Sequence, residues 1–185
     1  MKLRLLVTTA LLAATMGLAV PVKAENPAPV QQLLETRQGQ GLNLSGVNLS
    51  GVDLSKVDLR GANLNRANLS NANLSNANLS GANLSSANLS GANLSNANLL
   101  VANLVNANLS KATLTGAKLT SANLQGAEIV EANLRDADLF RANLNSANLR
   151  GSNLLNANLN AANLFGANLL GVRGANLTNA AGFPR

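Results

Sequence analysis

Four carboxylates lie close together in the C-terminal half of the sequence and have the clearest potential for chemistry. They are Glu128, Glu131, Asp136 and Asp138. Carboxylate oxygens at such spacing could hold a divalent cation. Basic residues occur in the same region, namely Lys111, Lys118, Arg135 and Arg141. The mixture favours a wall of paired, solvated charges over a weak cation site.

Other reactive groups are scarce. The chain of 185 residues contains no Cys and no His, which excludes disulfides and catalysis by a thiol or an imidazole. Its serines recur at repeating positions without a neighbouring base, so no nucleophile is activated. Its glycines recur in the same way and form no phosphate-binding loop. We therefore expect no enzymatic activity, no cofactor and no metal site.

The N-terminus has the features of an export signal. A basic start, Met1 to Arg4, precedes the apolar stretch 5–20 and the small-x-small site Val22-Lys23-Ala24. This order predicts a secretory signal peptide over residues 1–24, with an uncleaved membrane anchor as the alternative. Cleavage would leave 11 basic and 8 acidic residues, a net charge of +3. With neither Tyr nor Trp to stack on bases, nucleic-acid binding is not expected.

A five-residue repeat dominates the rest of the chain. Leucine occupies every fifth position from Leu44 to Leu169, and Ile129 is the only replacement. Ala usually lies two residues before each of these positions, and Asn lies between the two. A helix turns by about 100° per residue and a strand alternates its faces, so neither would keep these leucines on one side.

A solenoid explains this period. If Ala, Asn and Leu form a short extended segment, Ala and Leu point inward and Asn points outward. The two following residues, rich in Ser, Gly and Asn, then turn the chain through a corner. Stacked coils would pair through their backbones about 4.8 Å apart.

The spacing alone leaves the number of sides open. Lys111 and Glu131, like Lys118 and Asp138, are twenty residues apart, and stacking these opposite charges favours four sides. Three bulky apolar residues are instead spaced by fifteen, which favours three sides. They are Phe140, Leu155 and Leu170.

The A-(N/D)-L-x-x motif over 42–171 resembles the pentapeptide-repeat family. The resemblance implies an all-β, right-handed quadrilateral β-helix. A leader followed by such repeats is similar to exported cyanobacterial members, which implies the periplasm or the thylakoid lumen, or secretion.

Both ends of the solenoid are expected to be covered. Residues 25–41 are predicted to form a linker and a short capping helix, with the helix at Pro29 to Gln38, because Val30, Leu33 and Leu34 share one face. The repeat phase is predicted to break over 170–174, leaving an irregular cap at 172–185. Within that cap Ala175-Asn176-Leu177 would form one imperfect unit, and Phe183 would pack on the last coil.

Bulky apolar residues replace polar ones at some corners of the C-terminal half. These candidate partner residues are Leu100, Val101, Val105, Val130, Phe140, Leu155, Phe165 and Leu170. They could be incidental, because single exposed apolar side chains are common. The alternative is a surface that binds a protein partner or a second copy.

Three functions are compatible with this pattern. The first is a non-enzymatic exported scaffold that binds a protein. The second, suggested by the family, is DNA mimicry directed at a topoisomerase, although the positive charge and the leader disfavour it. The third is binding of ice or carbohydrate by serine rows, for example Ser50, Ser70, Ser90 and Ser110.

Overall fold

The computed structural model describes residues 27–182, which form one helix followed by a continuous coil. The helix, α1, spans Pro27–Thr36. Parallel bridges then join residues twenty apart, from Gln38 with Asp58 to Asn153 with Arg173. The predicted solenoid is confirmed, and this register gives four sides per coil. The predicted signal peptide and the Phe183 contact lie outside the described residues.

The bridged residues define the four sides of the solenoid. Side 1 contains Asn43, Asn63, Asn83, Asn103, Asn123, Asn143 and Asn163. Side 2 contains Asn48, Asn68, Asn88, Asn108, Glu128, Asn148 and Asn168. Side 3 contains Asp53, Asn73, Asn93, Thr113, Asn133, Asn153 and Arg173. Side 4 contains Gln38, Asp58, Asn78, Asn98, Lys118, Asp138 and Asn158.

The interior consists of the repeated leucines and alanines, as predicted. The leucines at every fifth position from Leu44 to Leu164, together with Ile129, are at most 2% exposed. Each buried leucine contributes about 1.5–3 kcal/mol of transfer free energy. Ser152 replaces one wall alanine, and its hydroxyl donates to the Leu149 carbonyl at 2.7 Å. That hydrogen bond satisfies the hydroxyl inside the apolar core.

In a typical repeat every backbone N–H has a partner, as the unit 82–86 illustrates. The Asn83 N–H donates to the Ala62 carbonyl of the preceding coil at 2.9 Å. The Leu84 N–H donates to the Asn103 carbonyl of the next coil at 2.7 Å. The N–H of the second corner residue also donates to a carbonyl of the next coil. The N–H of the residue after the corner donates to the carbonyl of the leucine just before that corner. The Ser85 N–H donates to the Asn83 side chain at 3.2 Å.

This bonding pattern explains why the sides are single bridges instead of longer strands. Within residues 27–182, each side pairs through one bridged residue per coil. Two of every five residues turn the corner, so the extended segment is too short for a ladder of several residues. The predicted all-β class therefore takes the form of isolated parallel bridges, and the predicted coil-to-coil pairing is confirmed.

Helix α1 begins and ends two residues earlier than predicted. Pro27 is at the first helical position, where its missing N–H costs nothing. The chain must leave the helix by Arg37, because Gln38 already bridges Asp58 in the coil. Val30 and Leu33 are buried, so α1 packs on the first coil. In this part of the chain no helix is long and apolar enough to cross a membrane.

We expect Gly39→Ala to loosen α1. A Cβ atom at Gly39 would lie 2.6 Å from Leu33 Cδ1 and 2.7 Å from Leu59 Cδ2. Such overpacking costs about 1–3 kcal/mol. Gly41→Ala is the control, because an added Cβ would meet nothing within 4 Å. The only cost of this substitution is the strain of an alanine at a positive φ. Hydrogen exchange should show faster exchange of the α1 amides in Gly39→Ala alone, and equal protection in both variants would contradict this packing.

The C-terminal end differs from its prediction. The twenty-residue register persists through Arg173, which bridges Asn153, so the break does not begin at Leu170 as predicted. It follows Arg173, because the next bridge joins Asn163 to Ala181, eighteen residues apart. Ala175-Asn176-Leu177 does form a unit, since the Asn176 side chain accepts the following corner N–H at 3.1 Å. The last coil is therefore shortened by two residues at one corner.

Candidate binding surface

The eight predicted partner residues do not form one continuous patch. Five of them lie on the two corners that flank side 1. They are Leu100, Val101 and Phe140 between sides 4 and 1, and Val105 and Phe165 between sides 1 and 2. The other three occupy the remaining corners, namely Val130, Leu155 and Leu170. The bias toward the C-terminal half is thus also a bias toward one side.

The exposure of these side chains depends on their place along the coil. Phe165 and Leu170, in the last complete coil, are 66% and 71% exposed, and Val101 is 61% exposed. Leu100 and Leu155 are 42% and 41% exposed. The other three are half-buried against neighbouring coils, namely Val105, Val130 and Phe140. All eight remain accessible to a partner, but to different extents.

Side 1 carries an uninterrupted row of asparagines, and we call it the asparagine face. Five of its six adjacent pairs are joined by a bond from one Nδ2 to the Oδ1 of the preceding coil. These distances run from 3.0 to 3.5 Å. Every Oδ1 on this side also accepts the backbone N–H two residues later. The amides therefore form a fixed ladder along the rod.

The other three sides lack this uniformity. Glu128 interrupts the row on side 2, Thr113 interrupts side 3, and Lys118 interrupts side 4. Only the asparagine face continues from Asn43 to Asn163 without a charged or β-branched residue. It is consequently the most regular polar surface among the described residues, and apolar side chains flank it on both corners.

The role of the repeated Asn at each corner is not among the expectations from the sequence, which predict only that Asn points outward. Its Oδ1 accepts a hydrogen bond from the N–H of the first corner residue; for example, the Ser70 N–H donates to the Asn68 Oδ1 at 3.1 Å. Asn and Asp are the residues that most readily make this local turn. Asp53 and Asp58 make the same contact, with Ser55 and Arg60. The recurrence of Asn or Asp just before Leu was the available signal.

The acidic cluster predicted between residues 128 and 138 is dispersed around the coil. Glu128 lies on side 2, Glu131 and Asp136 lie at two successive corners, and Asp138 lies on side 4. No group of three or more potential metal-ligating side chains occurs within the described part of the chain. The fold separates these residues, and the geometry does not support the alternative of a cation site.

The predicted charge pairing is only partly correct. Lys118 bridges Asp138 through the backbone, which confirms the stacking, but their side chains form no ion pair in the described structure. Asp138 instead accepts hydrogen bonds from Thr120 at 2.6 Å and from Asn158 at 2.8 Å. Within this region Arg135 pairs with its neighbour Asp136 at 3.2 Å.

Three aspartates have lowered pKa values, each from a local contact. The Arg60 guanidinium, 2.6 Å from Asp58, lowers the pKa of that carboxyl. The backbone N–H of Ser55 is the largest cause that lowers the pKa of Asp53. The Asn156 side chain is the largest cause that lowers the pKa of Asp136. These groups stay ionised at neutral pH, which makes them poor proton donors.

The repeats determine the family. The family model described as pentapeptide repeats matches in 8 copies, over residues 43–81, 62–99, 102–139 and 137–180. The chain belongs to the pentapeptide-repeat family. A comparison with curated proteins finds no match.

Several solved pentapeptide-repeat structures are similar to this chain. HetL, involved in the regulation of heterocyst differentiation in the cyanobacterium Nostoc sp. strain PCC 7120, is 33% identical over 80% of this chain and 78% of its own, with a TM-score of 0.50. Rfr23 of the cyanobacterium Cyanothece 51142 is 32% identical over 83% and 97%, with a TM-score of 0.38. A protein of the Arabidopsis thaliana thylakoid lumen is 26% identical over 65% and 70%, with a TM-score of 0.46.

Proposed function

We propose that this pentapeptide-repeat protein is a non-enzymatic, exported scaffold that binds another protein. Its binding surface is the asparagine face together with the apolar residues on the two flanking corners. The observation that carries the proposal is the grouping of five of the eight corner apolar residues around this one side. Exposed aromatic and aliphatic side chains beside a polar row have the composition of a protein interface.

The solenoid suits this role because it is rigid along the asparagine face. Most repeats satisfy all of their backbone N–H groups, and the leucine interior is continuous from coil to coil. Leu100 and Phe140 share a corner and are two coils apart, about 10 Å along the axis. Val105 and Phe165 are three coils apart, about 14 Å. A partner that touches both pairs would span several coils of preorganised surface.

Three further features belong to this proposal. The sequence of residues 1–24 supports export to the periplasm or the thylakoid lumen. The burial of Val30 and Leu33 supports a role for α1 as a cap over the first coil. Membership of the family supports a right-handed coil. Each can be tested separately from partner binding.

The two alternatives receive less support. DNA mimicry needs an acidic surface, whereas residues 27–182 carry ten basic and seven acidic side chains. Binding of ice or carbohydrate needs a long regular row of hydroxyls. The row that begins at Ser50 ends at Ser110, because Val130 and Arg150 occupy its next two positions. The protein-binding scaffold remains the better supported function.

Affinity capture from the cell envelope of the source tests this function. The bait is the full chain expressed with its own leader and purified after processing. In one variant Leu100, Phe140 and Phe165 are changed to Ser. The matched control carries Ser at three apolar corners away from the asparagine face, namely Val130, Leu155 and Leu170.

We expect the same protein to be retained by the wild type and by the control, and to be lost with the first variant. None of the six replaced side chains is buried in the leucine interior, so both variants should keep the coil intact. Retention of that protein by all three baits would place the interface elsewhere. Empty capture by all three would argue against a protein-binding role.

A further inference from the structure

Charge is distributed unequally around the solenoid. Three arginines lie on the corners that flank the asparagine face, namely Arg60, Arg66 and Arg141. Within residues 27–182, no acidic residue occurs on that face or on those two corners. All the acidic residues of the described chain lie elsewhere, namely Glu35, Asp53, Asp58, Glu128, Glu131, Asp136 and Asp138. The surface around side 1 is therefore purely basic, unlike its surroundings.

Two of the three arginines are available to a partner. Arg60 turns toward side 4 and forms an ion pair with Asp58 at 2.6 Å. Arg66 and Arg141 take part in no ion pair within residues 27–182. The Arg141 guanidinium lies over the Phe140 ring, 5.0 Å from its centroid. This stacking leaves the guanidinium edge free to donate, because a cation over a ring uses only its face.

The asparagine ladder itself offers donors and few acceptors. Most Oδ1 atoms of the ladder accept two hydrogen bonds, one from the next coil and one from the corner N–H. An amide nitrogen has two hydrogens, and the ladder uses one of them. The second hydrogen of each Nδ2 therefore remains for an outside acceptor. Along the axis these donors repeat every coil, about 4.8 Å apart.

A second copy of the chain does not complement this surface. Two asparagine faces brought together would oppose donors to donors and arginines to arginines. Neither copy would supply a carboxylate at the contact, and like charges placed opposite each other disfavour association. The charge distribution therefore argues for a different molecule that supplies acceptors and negative charge.

We propose that the asparagine face binds an acidic protein segment, in which carboxylates alternate with apolar side chains. This inference rests on the proposed scaffold function and specifies its partner. The carboxylates accept hydrogen bonds from Arg66, from Arg141 and from the ladder amides. The apolar groups contact Leu100 and Phe140 on one corner, and Val105 and Phe165 on the other. A purely ionic polymer would use only the first set of contacts.

The test uses a defined probe, a fluorescein-labelled random copolymer of glutamate and tyrosine, followed by fluorescence anisotropy. The proteins are the processed full chain, the variant with Arg66→Glu and Arg141→Glu, and a control with Lys56→Glu and Lys111→Glu. All four positions are second corner residues with φ between 57° and 59°. Glu131 occupies the same kind of position with φ 57°, so glutamate is compatible with it. Each variant has the same net charge.

We expect the Arg66/Arg141 variant to bind the copolymer at least about tenfold more weakly, and the Lys56/Lys111 control to change by less than about threefold. Wild-type binding should weaken as salt increases. Equal weakening in both variants would overturn the assignment to this face, because only net charge would then matter. Equal affinity for polygalacturonate would also overturn the proposal and indicate an acidic polysaccharide instead.

Envelope capture separates this inference from the scaffold function. If the Leu100, Phe140 and Phe165 variant loses a captured protein that the Arg66/Arg141 variant retains, the scaffold function stands and the acidic partner is wrong. If every bait captures nothing and the copolymer does not bind, both proposals fail. Loss of the captured protein in both variants, with retention by both controls, supports both.

Discussion

Leu104→Ala is expected to lower the free energy of unfolding by about 2–5 kcal/mol, whereas Leu100→Ala should lower it by less than about 1 kcal/mol. The two leucines are four residues apart in the same coil. Leu104 is fully buried and Leu100 is 42% exposed. Removing the buried side chain leaves a cavity between rigid alanine walls that have little freedom to close. Removing the corner side chain leaves no cavity.

Unfolding in guanidinium chloride, followed by far-UV circular dichroism, measures this difference. The two variants carry the same chemical change, so any effect on the unfolded chain is shared and cancels in the comparison. The midpoint should fall for Leu104→Ala with an unchanged slope, which would mean that the same surface is exposed on unfolding. Similar midpoints for both variants would contradict the assignment of every fifth leucine to the interior.

The interior could be predicted from the sequence because it depends on a short-range rule. A period of five excludes a regular helix and a regular strand. In the short extended segment that remains, Ala and Leu lie two residues apart and therefore point to the same side, the interior. The number of sides could not be derived in this way, because every side carries the same motif. The charge pairs at twenty residues favoured four, but Phe140, Leu155 and Leu170 favoured three. The backbone pairing of Lys118 with Asp138 decides for four.

The candidate surface was harder to predict, since it depends on the number of sides per coil. Until the register is known, Val105 and Phe165 are only two apolar residues sixty positions apart. Once each coil holds twenty residues, they share a corner beside the asparagine face. Val130 and Leu170 are excluded from this surface by the same count. The absence of acids around side 1 likewise became visible only when the residues were assigned to sides.

The ends were predicted less accurately, because the repeat rule no longer applies there. The bounds of α1 depend on which proline starts the helix and on how the chain joins the coil. Pro27 and Pro29 both suit a first turn, and the bridge from Gln38 to Asp58 favours the earlier one. At the other end the bridge to Arg173 places the start of the break later than the predicted position 170.

Deleting residues 75–94 is expected to leave a folded solenoid, whereas deleting Ser85 alone should destabilise it by more than about 3 kcal/mol. The long deletion removes one complete coil, so every later residue keeps its side, and residues 95–114 pair with residues 55–74 in the same register. The single deletion leaves one residue for a two-residue corner, and the next leucine no longer points inward. One displaced buried leucine costs about 2–5 kcal/mol, and each lost backbone hydrogen bond adds about 1 kcal/mol.

Thermal unfolding and circular dichroism of the two variants test this expectation. A third variant, which lacks residues 85–89, is measured in the same way. That third variant removes one whole repeat, so the leucine phase is kept, and we expect it to fold. It rotates all later residues by one side, which separates Arg66 from Arg141 and splits the asparagine face. A folded protein that no longer binds the acidic copolymer would show that the repeat builds the rod and the twenty-residue register builds the surface. Loss of folding in this variant would mean that the four sides are not interchangeable.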